Sequence, residues 1–351
     1  MVPLRSPQEP PHSKEKTMKK IAVIGGGSWG TALAIALTRS RQKHGVSLWV
    51  YEADIAERLR TSRINDVFLP GFQVPPEVEV TNVLGEALAD ADIVLGVMPS
   101  AHARKLYAQM LPQLEPRAVF VSATKGLDHT ELKRVSEVIQ EVVSPQVPTR
   151  VAALSGPSFA REVARGDPTA VVIASADREL AAMVQEEFSG PTFRLYTNDD
   201  IVGVEFGGAV KNVIAIAAGV CEGLGFGHNT IAALITRGLV EMTRLAVAAG
   251  ARRETLAGLA GMGDLVLTCT GGLSRNRSVG VELGKGRKLD EIVASTRMVA
   301  EGVGTTEATM RLAQKLKVEM PITEQMHAVL YEGRAPKEAI RELMERRLKH
   351  E

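Results

Sequence analysis

The spacing of apolar positions changes once along this chain, and the change divides it into two parts. Up to about residue 204, short β-branched and aliphatic runs alternate with glycine turns and helix-like stretches. The runs are Ile21 with Val23 and Ile24, then residues 46–50, 93–97, 118–124, the stretch from Val151 up to the Gly156 turn, and 193–196. Each is of strand length and nearly continuous in apolar character, the pattern of strands covered on both faces by helices. Residues 31–37 are good helix material between the first two runs. Beyond Val204 the strand-length runs stop and long Ala/Leu/Gly-rich stretches follow. Within 205–220, Val210, Val213, Ile214 and Ala217 fall on one helical face, and 228–250 reads as a long amphipathic helix. Residues 305–316 and 335–349 read as two further helical segments, separated by Pro321. The prediction is an α/β fold: a doubly wound sheet over residues 18–204, followed by an all-α domain over 205–351.

The turn after the first run narrows this. Gly25, Gly27 and Gly30 form a Gly-x-Gly-x-x-Gly that follows a strand, opens a helix and precedes a second strand. In that setting the first glycine permits the tight turn and the second lets the backbone approach a pyrophosphate. The third allows close packing of helix on strand. The N-terminal part therefore reads as a Rossmann-like domain for a nicotinamide dinucleotide. Its second strand ends at Tyr51-Glu52, where a carboxylate accepts hydrogen bonds from the adenosine ribose and a cation would favour a 2′-phosphate. Glu52 is that carboxylate and Tyr51 stands where a basic residue would be, so the cofactor expectation is NAD(P)H with a lean to NAD(H). Pro99-Ser100, at the carboxyl end of the 93–97 strand, points to the nicotinamide side. Lys125, held by Gly126 at the end of the next strand, points into the crevice. The turn from Gly156 to Ala160 offers N–H groups and the Ser158 hydroxyl.

Composition sets outer limits. At 351 residues the chain exceeds one ordinary hydrophobic core, which fits two domains. A formal net charge of +1 provides no general attraction for nucleic acid or a membrane surface, so any anion site is local. Cys221 and Cys269 form no metal-binding pattern and read as reduced thiols in a cytoplasmic protein. No apolar run is long enough to span a bilayer. Residues 1–17 are Pro-rich and polar and read as a disordered extension.

Candidate chemistry in the second part is concentrated in two places. Lys211 and Asn212 interrupt the apolar 205–220 helix, and a buried lysine is costly unless paired or functional. Residues 258–280, GLAGMGDLVLTCTGGLSRNRSVG, gather Asp264, Thr268, Ser274, Arg275, Asn276 and Arg277 among glycines. An arginine fork with glycine-flanked N–H groups suits a small phosphorylated anion, and a carboxylate suits a hydroxyl or a cation.

The motifs GGGSWGTALA, SATKGL, SGPSFAREV, GGAVKNVIAIAAG, TRGLVEM, GLAGMGDLVLTC and SRNR, in this order, resemble the NAD(P)-dependent sn-glycerol-3-phosphate dehydrogenases of the bacterial type over residues 19–345. The resemblance implies reversible reduction of dihydroxyacetone phosphate to sn-glycerol 3-phosphate, a supply for glycerophospholipid synthesis, by a cytoplasmic homodimer. It implies that Lys211 is the proton acceptor, with Lys125 and Asp264 beside it. Lys125, Gly156, Ser158, Lys211, Asn212, Asp264, Thr268, Ser274, Arg275 and Asn276 would face the substrate. Gly25, Gly27, Ser28, Trp29, Gly30, Tyr51, Glu52, Pro99, Lys125, Ala160, Arg275, Val299 and Glu301 would face the cofactor. The partners implied are the small-molecule substrate and a second copy of the chain, with no metal, nucleic acid or membrane. The competing reading is another Rossmann-plus-helical dehydrogenase of a small hydroxy acid or phosphosugar acid.

Overall fold

A computed structural model describes residues 18–294, 300–347 and 350; the extension expected at 1–17 lies outside them. Eight strands form one sheet: β1 (Lys19–Ile24), β2 (His44–Trp49), β3 (Val78–Thr81), β4 (Ile93–Gly96), β5 (Val119–Ser122), β6 (Val151–Ser155), β7 (Thr169–Ala174) and β8 (Phe193–Asn198). Their spatial order is β3-β2-β1-β4-β5-β6-β7-β8. All neighbours are parallel except β6 and β7. The pleat sends alternate side chains to opposite faces. Ile21 and Val23 pack in one buried cluster with Leu33, Ile35 and Leu37, whereas Ala22 and Ile24 pack in another with Ala103, Tyr107 and Ile139. The doubly wound sheet is thus covered on both sides. Because β2 and β4 flank β1 on opposite sides, the chain reverses direction of travel there and leaves a crevice at the strands' carboxyl ends.

Two strands had no separate signal in the sequence. β3 is short, with only Val78 and Val80 alternating with Glu79 and Thr81. β7 follows β6 within one turn-rich stretch, through the Ala160–Arg165 helix.

The helical part surrounds the Ile201–Gly223 helix, nearly all of which is buried. It begins ahead of the expected residue 205 because Asp200 caps it, Oδ1 accepting from the Gly203 N–H at 2.9 Å. This helix is long and apolar enough to cross a membrane, contrary to the sequence expectation, but it is enclosed by its own protein. Pro321 does not merely separate helices. It opens one, Pro321–Tyr331, where its missing N–H costs nothing. The flanking helices run Glu301–Leu316 and Pro336–Met344.

The closest helix contact fixes the site. A Cβ on Gly280 would lie 2.0 Å from the Ile216 carbonyl oxygen, and one on Gly219 would lie 2.0 Å from that of Arg277. Gly223 and Gly284 meet in the same way one turn further on. The Ile201–Gly223 and Arg275–Gly284 helices therefore touch backbone to backbone and run in the same direction. Gly280→Ala is expected to lower the denaturant midpoint of the apo protein by the equivalent of about 1–3 kcal/mol, the usual range for overpacking. A midpoint equal to the unaltered protein's would show that the helices separate without cost.

Candidate active site

The glycine turn is built for a ligand. Gly25 has φ +128°, and a Cβ there would meet the Val97 carbonyl oxygen at 2.5 Å. A Cβ on Gly30 would lie 1.8 Å from the Gly25 oxygen. Gly27 differs: its backbone angles are ordinary, and a Cβ there would meet nothing within 4 Å. Space, not strain, distinguishes this glycine, as expected where a diphosphate lies against backbone N–H groups at a helix N-terminus. Gly27 is the N-cap of the Ser28–Thr38 helix and supplies no side-chain cap. The Trp29 Nε1 is buried without a partner, leaving a donor for a bound group. These residues fit a dinucleotide.

Tyr51 is 77% exposed beyond the end of β2, stacked edge-on against Trp49, and Glu52 follows as N-cap of the Ala53–Ser62 helix. The nearby guanidiniums are already engaged. Arg58 donates to Asp54 at 2.9 Å and to Asp66, Arg60 pairs with Glu57, and Arg63 donates to the carbonyls of Val74, Pro75 and Val78.

At the carboxyl ends of β5 and β6 the lysines converge. Lys125 Nζ donates to the Gly156 carbonyl (2.8 Å), the Ser158 hydroxyl (3.2 Å) and Asp264 Oδ2 (2.8 Å). Gly156 has φ +139°, and a Cβ there would press on Val171, so its carbonyl can be presented to Lys125 only by glycine. Lys211 Nζ donates to Asp264 Oδ1 and to Thr268 Oγ1, both at 2.7 Å. One carboxylate, 1% exposed, thus holds two ammonium groups. A π-helical turn at Leu259–Gly263 leads into the Asp264–Thr270 helix and aims Asp264 inward. Burial pulls the Lys211 pKa down to about 8; the Asp264 charge opposes this, and Lys125 adds to it. Desolvation is the largest of these influences.

The arginines divide sharply. Arg277 pairs with Glu222. Arg275, at the first position of its helix, has no hydrogen-bond or ion-pair partner among the described residues. Protein packed around it lowers its pKa, against the pull of Glu301, yet the side chain keeps access to solvent. A cation in a crevice without a protein partner is placed for an external anion. Ser274 caps this helix by accepting from the Arg277 N–H. The Asn276 and Asn212 side chains engage each other: Asn276 Nδ2 donates to Asn212 Oδ1 at 2.9 Å, and Asn276 Oδ1 accepts from the Gly302 N–H at 2.9 Å. Asn212 Nδ2 donates to the Lys125 carbonyl at 3.4 Å. These two amides, expected to face the substrate, also tie four segments together. Glu301 reaches Ser100 beside Pro99, and Ala160 opens the short helix after the Gly156 turn. Val299 lies outside the described residues.

Supporting residues escaped the sequence reading because nothing local marks them. Asn65, fully buried, donates to the Gly26 carbonyl at 2.8 Å and to the Thr31 hydroxyl at 2.9 Å, bracing the glycine turn from a distant loop. Thr124 donates to the Met98 carbonyl at 2.9 Å. Chemically, the crevice combines a glycine turn that fits a dinucleotide, a buried lysine of lowered pKa and an unengaged guanidinium.

Residues 20–181 and 200–341 match the N-terminus and C-terminus models of NAD-dependent glycerol-3-phosphate dehydrogenase. The glycerol-3-phosphate dehydrogenase (NAD(P)+) of Koribacter versatilis is 62% identical over 330 residues, covering 94% of this chain and 98% of that protein. Its counterpart in Citrifermentans bemidjiense is 56% identical over 333 residues, covering 95% and 99%. The crystal structure of glycerol-3-phosphate dehydrogenase from Coxiella burnetii superposes with a TM-score of 0.89 at 41% identity, covering 94% of this chain and 99% of that one.

Gly27→Ala separates binding from folding. The added methyl group meets no protein atom, so thermal stability of the apo protein should stay near that of the unaltered protein. NADH affinity, measured by titration of NADH fluorescence, should fall about tenfold or more, the loss of about one hydrogen bond to a charged group. Unchanged affinity would place the diphosphate elsewhere.

Proposed function

The chain belongs to the NAD-dependent glycerol-3-phosphate dehydrogenase family, and on that premise we propose how its residues perform the reversible reduction of dihydroxyacetone phosphate to sn-glycerol 3-phosphate. The observation that carries the reading is the pairing of Lys211, held by Asp264 and Thr268, with the unengaged Arg275 in one crevice. When bound, the nicotinamide supplies or accepts the hydride. Arg275 anchors the substrate phosphate with a bidentate fork, and Ser274 and Asn276 shape the first turn around it. Binding at that non-reacting end orients the carbonyl toward Lys211. In the reductive direction protonated Lys211 gives its proton to the carbonyl oxygen. In the oxidative direction neutral Lys211 takes the hydroxyl proton, and Lys125 and Asp264 keep its Nζ in place. Ser28, Trp29, Lys125, Ala160, Arg275, Val299 and Glu301 contribute to the cofactor side, and Gly156, Ser158, Asn212 and Thr268 to the substrate side.

Labour divides along the chain in the main: residues 18–204 carry the dinucleotide turn and 205–351 the proton-exchanging lysine and the phosphate anchor, with Lys125, Gly156 and Ser158 reaching the substrate from the first part and Arg275 and Glu301 reaching the cofactor from the second. The protein works in the cytoplasm as a homodimer, with the outer face of the His228–Ala248 helix, where Val240 and Val247 are exposed, as the contact. The product supplies glycerophospholipid synthesis.

The Lys211 pKa sets the direction of the pH response. With the pKa near 8, glycerol 3-phosphate oxidation should rise with pH through about 8 as the lysine loses its proton. Reduction should fall over the same range because the donor form disappears. Lys211→Ala should lower kcat by at least about a hundredfold in both directions and abolish that titration. A normal kcat in this variant would remove Lys211 from the chemistry.

The cofactor lean has a structural basis in the engaged arginines around Glu52. With dihydroxyacetone phosphate, kcat/KM for NADH should exceed that for NADPH by about tenfold, the effect of about one missing hydrogen bond to a charged group. Equal values would mean that one of these ion pairs opens for the 2′-phosphate. Turnover with neither would overturn the activity itself.

A further inference from the structure

Ser100 has no role in the chemistry above, yet it occupies a singular position. It follows Pro99 at the carboxyl end of β4 and opens the Ser100–Met110 helix, and it is only 1% exposed. Its backbone N–H and its hydroxyl both donate to one carboxylate, that of Glu301: N to Oε1 at 3.3 Å and Oγ to Oε2 at 3.0 Å. The two residues belong to different halves of the molecule, so the pair spans the crevice on the nicotinamide side. Gly126 forms the wall behind them. A Cβ there would lie 2.4 Å from Ser100 Oγ and 3.1 Å from Glu301 Oε2. Two donors on one carboxylate fix both its position and its rotation, which one donor could not do. Burial raises the Glu301 pKa, while the Ser100 donors and the Arg275 charge oppose the rise, so the serine also helps keep the group an acceptor.

We propose that Ser100 is a positioning residue for hydride transfer: it orients the Glu301 carboxylate, which accepts from the carboxamide of the nicotinamide and so sets the rotation of the ring. The inference rests on the dehydrogenase reading above. It differs from a bland role, in which a buried serine merely satisfies a glutamate, because it predicts an effect on the transferred hydride. Ser100 acts entirely through Glu301, and its loss should do nothing further once Glu301 has been altered.

The test compares the full-length protein with Ser100→Ala, Glu301→Gln and the double variant. Binding of NADH is followed by titration, and immobilisation of the ring by the fluorescence lifetime of bound NADH, since the nicotinamide is the emitter. Turnover of dihydroxyacetone phosphate is measured with NADH and with NADH deuterated at the transferred position. Ser100→Ala should lower kcat about tenfold, the effect of one lost hydrogen bond to a charged group. It should also enlarge the primary isotope effect and shorten the lifetime. The NADH dissociation constant should change much less, because the glycine turn still holds the diphosphate. The double variant should match Glu301→Gln alone. Gly126→Ala, whose methyl group would wedge the pair apart, should reproduce the Ser100→Ala signature. An unaltered isotope effect and lifetime in Ser100→Ala, or losses that add fully in the double variant, would overturn the inference while leaving the dehydrogenase reading intact. Absence of turnover by the unaltered protein would instead sink that reading.

Discussion

Two helices that touch at their backbones set the dimensions of this crevice. Gly219 and Gly223 face Gly280 and Gly284, so the Ile201–Gly223 and Arg275–Gly284 helices approach more closely than any side chain would permit. Because they run in the same direction, the first turn of one lies level with the middle of the other. Asn276 is thereby brought to Asn212, and Arg275 to the neighbourhood of the Lys211 turn. The distance from Arg275 to Lys211, the proposed phosphate anchor and proton-exchanging lysine, is thereby set by two rigid elements. Loops would define it less sharply.

Burial then determines the chemistry available at that distance. Lys211 carries two influences of opposite sign from its neighbours, Asp264 favouring the charged form and Lys125 disfavouring it, and desolvation outweighs both. The apolar residues of this helix and around it, Val210, Val213, Ile214 and their partners, therefore lower the Lys211 pKa as well as forming the core. The same trade recurs at Glu205, whose buried carboxylate accepts from the Ser136 N–H and from Arg134 at the start of the Val135–Val143 helix. Burial pushes its pKa up against those donors. The buried carboxylates of Asp264 and Glu205 each have donors from at least two residues converging on them.

Residues out of keeping with their surroundings were legible in the sequence. A lysine in an alanine–isoleucine helix, a lysine before a glycine at a strand end, and glycines at fixed spacing after a strand each stand out locally. The sheet, the long helices and the clustering of these residues follow from such signals. What the sequence could not convey was partnership. Arg275 and Arg277 look equivalent in SRNR, but Glu222, far away in the chain, engages only one of them. Asn212 stands out as an amide in an apolar run and Asn276 as one between two arginines, and they are neighbours because of the glycine contact. Asn65 braces the dinucleotide turn from a loop with no motif at all. Pro321 reads as a separator in the sequence yet opens a helix, because proline interrupts a helix in its interior but suits its first turn.

The carboxylate shared by two lysines has a consequence for the charge of the site through a catalytic cycle. With both lysines protonated, the trio of Lys125, Lys211 and Asp264 carries one excess positive charge, which an incoming dianion offsets. When Lys211 is neutral, Lys125 and Asp264 remain as a matched pair at 2.8 Å. Neither state strands a lone ion in a region closed to water. On the proposed mechanism, each charge keeps a partner whichever way the proton moves, as a reversible reaction requires.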